Sequence, residues 1–164
     1  MKKTYPTKKQ RYYQGKFIPK NKKKYVGDVN DIVYRSSWEL KFMNFLDAHP
    51  SVLEWTSETI SIPYFWELDG KIHRYYPDMT IVKVNSKGEK ETLMIEIKPE
   101  AQTNVPKMPK SFKGQKRYLT EVETFTKNQA KWRAADAFCK EKGWKFLVMT
   151  EKTLFLKDNK KKKQ

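Results

Sequence analysis

Near the middle of the chain, two stretches of β-strand character flank a short turn, and this pattern strongly constrains the fold. Met79–Val84 and Thr92–Lys98 are rich in apolar and branched side chains, and Asn85–Gly88 lies between them. Asn and Gly readily adopt the backbone conformations of tight turns, so the pattern predicts an antiparallel hairpin. A turn centred in that segment places Asp78 directly opposite Glu96.

Two opposed carboxylates are unfavourable on a sheet, because their Cβ atoms lie about 5 Å apart and their charges repel. A hydrogen-bonding neighbour or a shared proton relieves the repulsion, and a divalent cation relieves it more directly. Lys98 lies two residues beyond Glu96 and therefore shares its face of the strand. Each signal also has a plain structural interpretation: Asp78 follows Pro77 at a turn, and Glu96 fits the solvent face of an amphipathic strand.

A third carboxylate, Glu39, lies in a predicted helix that begins at Ser36 or Ser37. Ser36 and Glu39 match a capping box. The apolar side chains of this helix recur at helical spacing, at Trp38, Phe42, Phe45 and Leu46. Glu39 falls within this stripe, so we expect it to point toward the sheet, although a capping role alone also explains it.

Together, Glu39, Asp78, Glu96 and Lys98 have the composition of a metal-dependent hydrolytic site. Mg²⁺ binds through a few carboxylates plus substrate phosphate, so Glu39, Asp78 and Glu96 are the candidate ligands, with Mn²⁺ as the alternative cation. A metal there polarises a phosphate and lowers the pKa of an attacking water, and Lys98 positions that water or neutralises charge on phosphorus. The predicted reaction is phosphodiester hydrolysis.

The charge distribution fits a polyanionic substrate. The net charge is +16, but residues 1–27 hold ten Lys or Arg and no acid, and Lys160–Lys163 add four lysines, so the rest is nearly neutral. Residues 1–27 are predicted to be an extended arm, which serves as a solubilising tail or contacts nucleic acid. Its aromatic side chains either stack on bases or anchor the arm on the fold. The predicted domain covers residues 28–157, and 158–164 form a basic tail.

Several function classes are excluded by composition. One cysteine and two histidines exclude a disulfide scaffold, a multi-cysteine zinc site and a histidine-rich cluster. No apolar run reaches the length of a membrane span, and the basic N-terminus lacks the apolar segment of a secretory signal. We therefore expect a soluble protein of a reducing cytoplasm, without a membrane partner.

The second half of the chain is predicted to contain an irregular basic loop and a second helix. Further β-strands are predicted at Thr59–Tyr64, Ile72–Tyr76, Phe146–Met149 and Thr153–Leu156. The loop covers residues 99–118, and the helix runs from Thr126 to Gly143. Candidate DNA contacts are the basic side chains of the loop and two residues that open the helix: Lys107, Lys110, Lys113, Lys116, Arg117, Gln129 and Lys131. For Gln129 and Lys131, a cap and a surface position are the plainer alternatives.

These motifs resemble a known nuclease superfamily. Pro77-Asp78 followed by Glu96-Ile97-Lys98 resembles the PD-(D/E)xK core, and the preceding helical Glu39 is similar to that of TnsA-type transposon endonucleases. A closer resemblance, to the head-completion nucleases of large tailed phages, runs in order through Gly15-Lys16, Pro19-Lys20-Asn21, Lys24-Tyr25, Gly27-Asp28, Tyr34-Arg35-Ser36, Trp38-Glu39, Leu46-Asp47, Ser57-Glu58-Thr59, Ile62-Pro63-Tyr64-Phe65, Ile95-Glu96-Ile97-Lys98-Pro99, Lys131-Trp132 and Thr150-Glu151.

The resemblance implies an α/β restriction-endonuclease-like core, a mixed β-sheet flanked by helices. It implies a Mg²⁺-dependent endo- or exonuclease whose catalytic positions are Glu39, Asp78, Glu96 and Lys98. The enzyme would process packaged double-stranded DNA before the tail joins, with phage head, portal or neck proteins as partners. It would act in the host cytoplasm or at the head–tail connection. The rival interpretations are a non-catalytic DNA-binding neck protein that retains the fold and, less consistent with the four site residues, a basic RNA-binding protein.

Overall fold

The computed structural model describes residues 13–154. In chain order its strands and helices are β1 (Gly15–Lys16), β2 (Val33–Tyr34), α1 (Ser37–Ala48), β3 (Val52–Ser57), β4 (Ile62–Trp66), β5 (Lys71–Tyr75), β6 (Met79–Val84), β7 (Lys90–Ile97), α2 (Gln115–Glu141), β8 (Lys145–Met149) and α3 (Glu151–Leu154). Short 3-10 turns occupy Lys22–Lys24, Glu100–Gln102 and Phe112–Gly114. Within residues 13–154, no helix combines the length and the apolar character needed to cross a bilayer.

A mixed four-stranded sheet with the order β3-β6-β7-β8 forms the centre. Its first two pairings are antiparallel, whereas β7 and β8 are parallel and are connected through α2, the crossover that a parallel pair requires. In the β6–β7 hairpin, Met79 faces Ile95 and Ile81 faces Leu93. The predicted register is therefore confirmed, as is the predicted α/β class with a mixed sheet flanked by helices.

Strand β7 is covered on both faces, which explains why it is buried from Leu93 to Ile97. On one face, Ile95 and Ile97 pack with α1 and with the segment that precedes it. On the other face, Met94 packs with α2 and with the β4–β5 hairpin. Because side chains alternate along a strand, Glu96 shares the face of Met94 and is carried into the interior.

The β4–β5 hairpin forms a separate two-stranded sheet that covers α2. Its inner face carries Tyr64, Trp66 and Tyr75, all buried. The predicted turn at Asp69 and Gly70 is present, and Gly70 adopts a φ of +66°, a conformation that glycine tolerates without strain. Strand β4 begins at Ile62, three residues after the predicted start.

Helix α2 is much longer than predicted, because it begins at Gln115 and not near Thr126. Its first turns are polar and exposed, so they lack the apolar periodicity that reveals a helix in sequence, and its N-cap, Gly114, provides no side-chain hydrogen bond. Gln129 therefore lies in the middle of the helix and does not form a capping box. The predicted stop is confirmed at Gly143, with a φ of +70°.

Part of the segment assigned to an N-terminal arm is built into the domain. Phe17 and Tyr25 are buried, and both rings pack edge-on against Trp55. The buried Asp47 carboxylate accepts hydrogen bonds from the backbone N–H groups of Lys20 and Asn21 at 2.9 and 3.0 Å. The boundary predicted at residue 27 is corrected accordingly: from residue 13 onward the chain packs on the domain. Residues 1–12 and the basic tail 158–164 lie outside the described residues.

Two further differences concern single elements. Strand β3 had no prediction, because an irregularity between Val52 and Glu54 breaks its alternation and places the buried side chains three residues apart, at Val52 and Trp55. The strand predicted at Thr153–Leu156 is instead the short helix α3 up to Leu154, and the last two residues of that range are not described. The Leu154 N–H donates to the Thr150 carbonyl at 3.0 Å, which closes this helical turn.

Candidate active site

The open end of the β6–β7 hairpin brings two carboxylates together. Asp78 immediately precedes β6, and the register of the hairpin carries it to the position opposite Glu96. The Ile97 backbone N–H donates to Asp78 Oδ2 at 2.6 Å, which fixes the aspartate against the neighbouring strand. The backbone geometry of the hairpin thus holds the predicted pair in place.

Glu96 is a buried acid whose two oxygens have different partners. Its side chain is only 2% exposed. Oε1 lies 2.9 Å from the Lys98 ammonium, and Oε2 accepts a hydrogen bond of 2.6 Å from the Tyr75 hydroxyl. The solvent-face interpretation of Glu96 is therefore wrong. Burial and the charge of Glu96 raise the pKa of the Tyr75 phenol, so it stays a hydrogen-bond donor.

The electrostatics of the pair are unusual for carboxylates. Burial, followed by the charge of Glu96, raises the pKa of Asp78 to about 8, against a partial lowering by Lys98. Burial opposes the charged form of Lys98, but Glu96 and Asp78 outweigh it and raise the pKa of the ammonium. One lysine therefore balances only part of the negative charge that two ionised carboxylates would carry.

Glu39 is close to this pair but serves as a helix cap in the structure. Its N–H donates to Ser36 Oγ at 3.1 Å, and its carboxylate accepts from the Ser36 hydroxyl at 2.9 Å and from the Arg35 backbone N–H at 2.8 Å. Glu39 and Lys98 line a common cavity of about 330 Å³, and the charge of Glu39 acts on both Asp78 and Lys98. The capping interpretation is confirmed, and the side chain stands within electrostatic reach of the site.

Two residues of the opposite layer complete the surroundings. Tyr75 was predicted as a strand residue but not as part of the site. It reaches Glu96 from β5, and the sequence gives no hint of this contact because it depends on how the outer hairpin packs. Lys131 extends from α2 with its Nζ 5.6 Å from the centre of the Tyr75 ring. Gln129 is half-buried on the same helix.

The predicted DNA-contacting lysines of the loop are all exposed. Lys107, Lys110 and Lys113 lie in the irregular part of the chain, whereas Lys116 and Arg117 lie in the first turn of α2. Arg117 pairs with Glu121 on its own helix at 2.7 Å. The loop begins directly after Lys98, so this basic surface is continuous in sequence with the site.

The donor set at the hairpin end fits a divalent cation. Mg²⁺ keeps several waters and needs only one or two protein carboxylates, which Asp78 and Glu96 supply. A bound cation would also offset the repulsion between the half-buried Asp78 and the buried Glu96. Among residues 13–154, no three Asp, Glu, His or Cys side chains are gathered closely enough to form a cation cluster by themselves.

The chain is similar to known nucleases over most of its length. Residues 49–151 match the family described as "TnsA-like endonuclease N terminal". The chain is 40% identical over 141 residues to the "Head completion nuclease" of Enterobacteria phage T4, covering 85% of this chain and 91% of that protein. No solved structure shows a significant similarity to this chain.

Proposed function

The chain belongs to the TnsA-like endonuclease family and, within it, to the head-completion nucleases, and from this we propose that it hydrolyses phosphodiester bonds of double-stranded DNA with a divalent cation. Mg²⁺ is the proposed cation, and Mn²⁺ is the proposed substitute. Asp78 and Glu96 are the proposed ligands, with Glu39 as a third carboxylate that reaches the site when its capping contacts rearrange.

The pairing of a half-buried Asp78 with the buried Glu96 is the observation that carries this proposal. Two adjacent carboxylates oppose each other's ionisation, and burial together with the charge of Glu96 raises the pKa of Asp78 accordingly. The same two carboxylates can instead bind a cation, which in turn binds a phosphate of the substrate.

The residues of the chain have separate roles in the proposed reaction. A bound Mg²⁺ would polarise the scissile phosphate and lower the pKa of the attacking water. Lys98, held 2.9 Å from Glu96 Oε1, is placed to orient that water or to neutralise charge that develops on phosphorus. Tyr75 keeps the Glu96 carboxylate in a fixed orientation through its short hydrogen bond.

The exposed basic side chains of the loop supply the proposed DNA contacts. Lysines that bind phosphate release counterions and give affinity without sequence preference. Such binding suits an enzyme that trims packaged DNA regardless of sequence. We further propose that the protein acts in the host cytoplasm during head completion, beside portal or neck proteins, before the tail joins.

Cleavage assays with a matched variant test the proposal. Purified protein is incubated with supercoiled plasmid and with linear duplex DNA, in Mg²⁺, Mn²⁺, Ca²⁺ or EDTA, beside Glu96→Gln. We expect wild type to cut in Mg²⁺ and Mn²⁺ and to be inactive in EDTA, and we expect Glu96→Gln to be inactive throughout. The plasmid separates nicking from trimming at DNA ends.

Cleavage in EDTA at the Mg²⁺ rate would overturn the cation dependence. If wild type binds duplex DNA but does not cut it in the presence of any of the tested cations, the non-catalytic neck protein is favoured instead. Undiminished cleavage by Glu96→Gln would show that the hairpin end is not the active site.

A further inference from the structure

Lys131 lies on the opposite side of Glu96 from Lys98, with a tyrosine between it and the acid. Its Nζ is 5.6 Å from the centre of the Tyr75 ring and 5.9 Å from the centre of the Tyr64 ring. The hydroxyl of that same Tyr75 donates to Glu96 Oε2. Two aromatic rings therefore hold an ammonium group one side chain away from the carboxylate pair.

This ammonium group carries a charge that the described part of the chain does not pair. Within residues 13–154, Lys131 has ring contacts but neither a hydrogen bond nor an ion pair. Its side chain is half-buried, and burial, followed by the charge of Lys98, lowers the pKa of the ammonium. By contrast, Lys140 on the same helix pairs with Asp136 at 2.6 Å.

An anion is the ligand that this environment requires. A partly desolvated cation is costly unless an opposite charge approaches it, and the rings of Tyr64 and Tyr75 offset only part of that cost. The charges of Glu96 and Asp78 act on Lys131 but form no ion pair with it, so among residues 13–154 the ammonium has no direct anionic partner, and we infer one from outside the chain. The site beside it is the proposed place of phosphate cleavage.

We propose that Lys131 is a catalytic residue that binds a non-bridging oxygen of the scissile phosphate, and that the rings of Tyr64 and Tyr75 hold it in position. This inference rests on the proposed nuclease function and assigns the substrate contact within that site. Lys98 then acts from the side of Glu96 Oε1 and Lys131 from the side of Oε2, so that the phosphate lies between two cations. The rival role for Lys131 is packing alone, in which its stem and charge merely cover the two rings.

Lys142 provides a matched control for the packing role. Its Nζ lies 5.0 Å from the centre of the Phe138 ring and 5.6 Å from that of Trp144, so it makes the same kind of double ring contact. It is 11 residues further along the chain, about 16 Å at the rise of an α-helix. Lys142→Met therefore removes an equivalent cation–π contact away from the carboxylate pair.

The experiment compares wild type, Lys131→Met, Lys131→Arg and Lys142→Met. We expect Lys131→Met to lower kcat by about 10²-fold to 10³-fold with a smaller change in KM, because the contact strengthens as charge develops on the phosphate. Lys131→Arg should recover part of the rate, since the charge is kept. Lys142→Met should cut at the wild-type rate.

A second readout does not depend on cleavage. Binding of a short fluorescein-labelled duplex in EDTA is measured over a range of salt concentrations for all four proteins. In Lys131→Met, the loss of one phosphate contact should reduce the slope of log K against log salt by about 0.9. The slope should stay unchanged in Lys131→Arg, which keeps the charge, and in Lys142→Met, which keeps Lys131. Equal melting temperatures show that the fold is intact.

Two results would overturn the role of Lys131. The first is a Lys131→Met enzyme that cuts as fast as Lys142→Met. The second is an unchanged salt slope in Lys131→Met. If wild type does not cut at all, the nuclease proposal fails, and the binding measurement still decides whether Lys131 contacts phosphate.

Discussion

The two ends of the β6–β7 hairpin carry similar residues with opposite electrostatics. At the turn end, Glu91 lies opposite Lys83, with its carboxylate 3.1 Å from that ammonium and 2.7 Å from the Lys145 ammonium. Hydrogen bonds from Lys145 and Lys83 lower the pKa of Glu91. At the open end, Asp78 faces a second acid, and its pKa is raised to about 8.

The difference separates a structural pairing from a functional one. Opposite charges across a sheet stabilise it modestly, and the turn end shows this ordinary arrangement. The open end places two carboxylates side by side, which opposes the ionisation of both, and the proposed cation and phosphate would relieve this opposition. The same two strands therefore carry an ordinary ion pair at one end and the proposed reactive site at the other.

The largest expected effect is the loss of DNA cleavage, and only substitutions at the open end of the hairpin should cause it. Asp78→Asn, Glu96→Gln and Lys98→Met should each reduce the Mg²⁺-dependent rate by about 10³-fold or more, because the first two remove proposed cation ligands and the third removes the proposed water-orienting charge. Glu91→Gln at the turn end should cut as wild type does. Gel assays of plasmid cleavage under single-turnover conditions measure all four.

The three losses should not add, since the residues act as a unit. A double variant of Asp78→Asn with Lys98→Met is expected to retain about the activity of either single variant. Cleavage by any of the three single variants at near wild-type rate would remove that residue from the site.

The next effect is on the free energy of unfolding, and its sign differs between substitutions at the open end and at the turn end of the hairpin. The folded protein keeps the Asp78 proton up to a pKa of about 8, whereas the unfolded chain releases it near pH 4, so wild type loses stability as the pH rises between these values. In EDTA at pH 8, Asp78→Asn should be more stable than wild type by about 1–3 kcal/mol, and at pH 4 by much less. Denaturant titrations at several pH values measure this.

Glu91→Gln should behave in the opposite way. The lowered pKa of Glu91 means that its carboxylate stabilises the fold above the pKa of the unfolded chain, and that this contribution disappears as the pH falls. The variant should therefore be less stable than wild type at neutral pH and should match it in acid. For the open end, the contradicting result is a free energy of unfolding that changes with pH in the same way in Asp78→Asn and in wild type.

The hairpin itself was predictable, because a local turn and a local alternation set its register. That information is enough to place Asp78 opposite Glu96 and Lys98 beside it. The burial of Glu96 was not predictable, because it depends on α2 and the β4–β5 hairpin closing over one face of β7. The capping of Glu39 followed from its spacing to Ser36, whereas the approach of Lys131 depends on where a distant helix packs.

The smallest expected effect comes from the orientation of Glu96. Tyr75→Phe removes the 2.6 Å hydrogen bond but keeps the ring that Lys131 covers. We expect kcat to fall by about tenfold, since the loss of one hydrogen bond to a charged group is worth about 1.5 kcal/mol. Tyr64→Phe, which removes a hydroxyl from the neighbouring ring, is the control and should leave kcat unchanged. An equal effect of both changes would show that Tyr75 does not position Glu96.

Calorimetric titration of the protein with Mg²⁺, without DNA, tests the central claim that the open end of the hairpin binds a divalent cation. Titrations at pH 7 in two buffers of different ionisation enthalpy give both the affinity and the number of protons released. Because burial and the charge of Glu96 raise the pKa of Asp78, we expect wild type and Glu91→Gln to release protons on binding. Asp78→Asn should bind weakly and release none. Equal binding and equal proton release by Asp78→Asn and wild type would contradict the account.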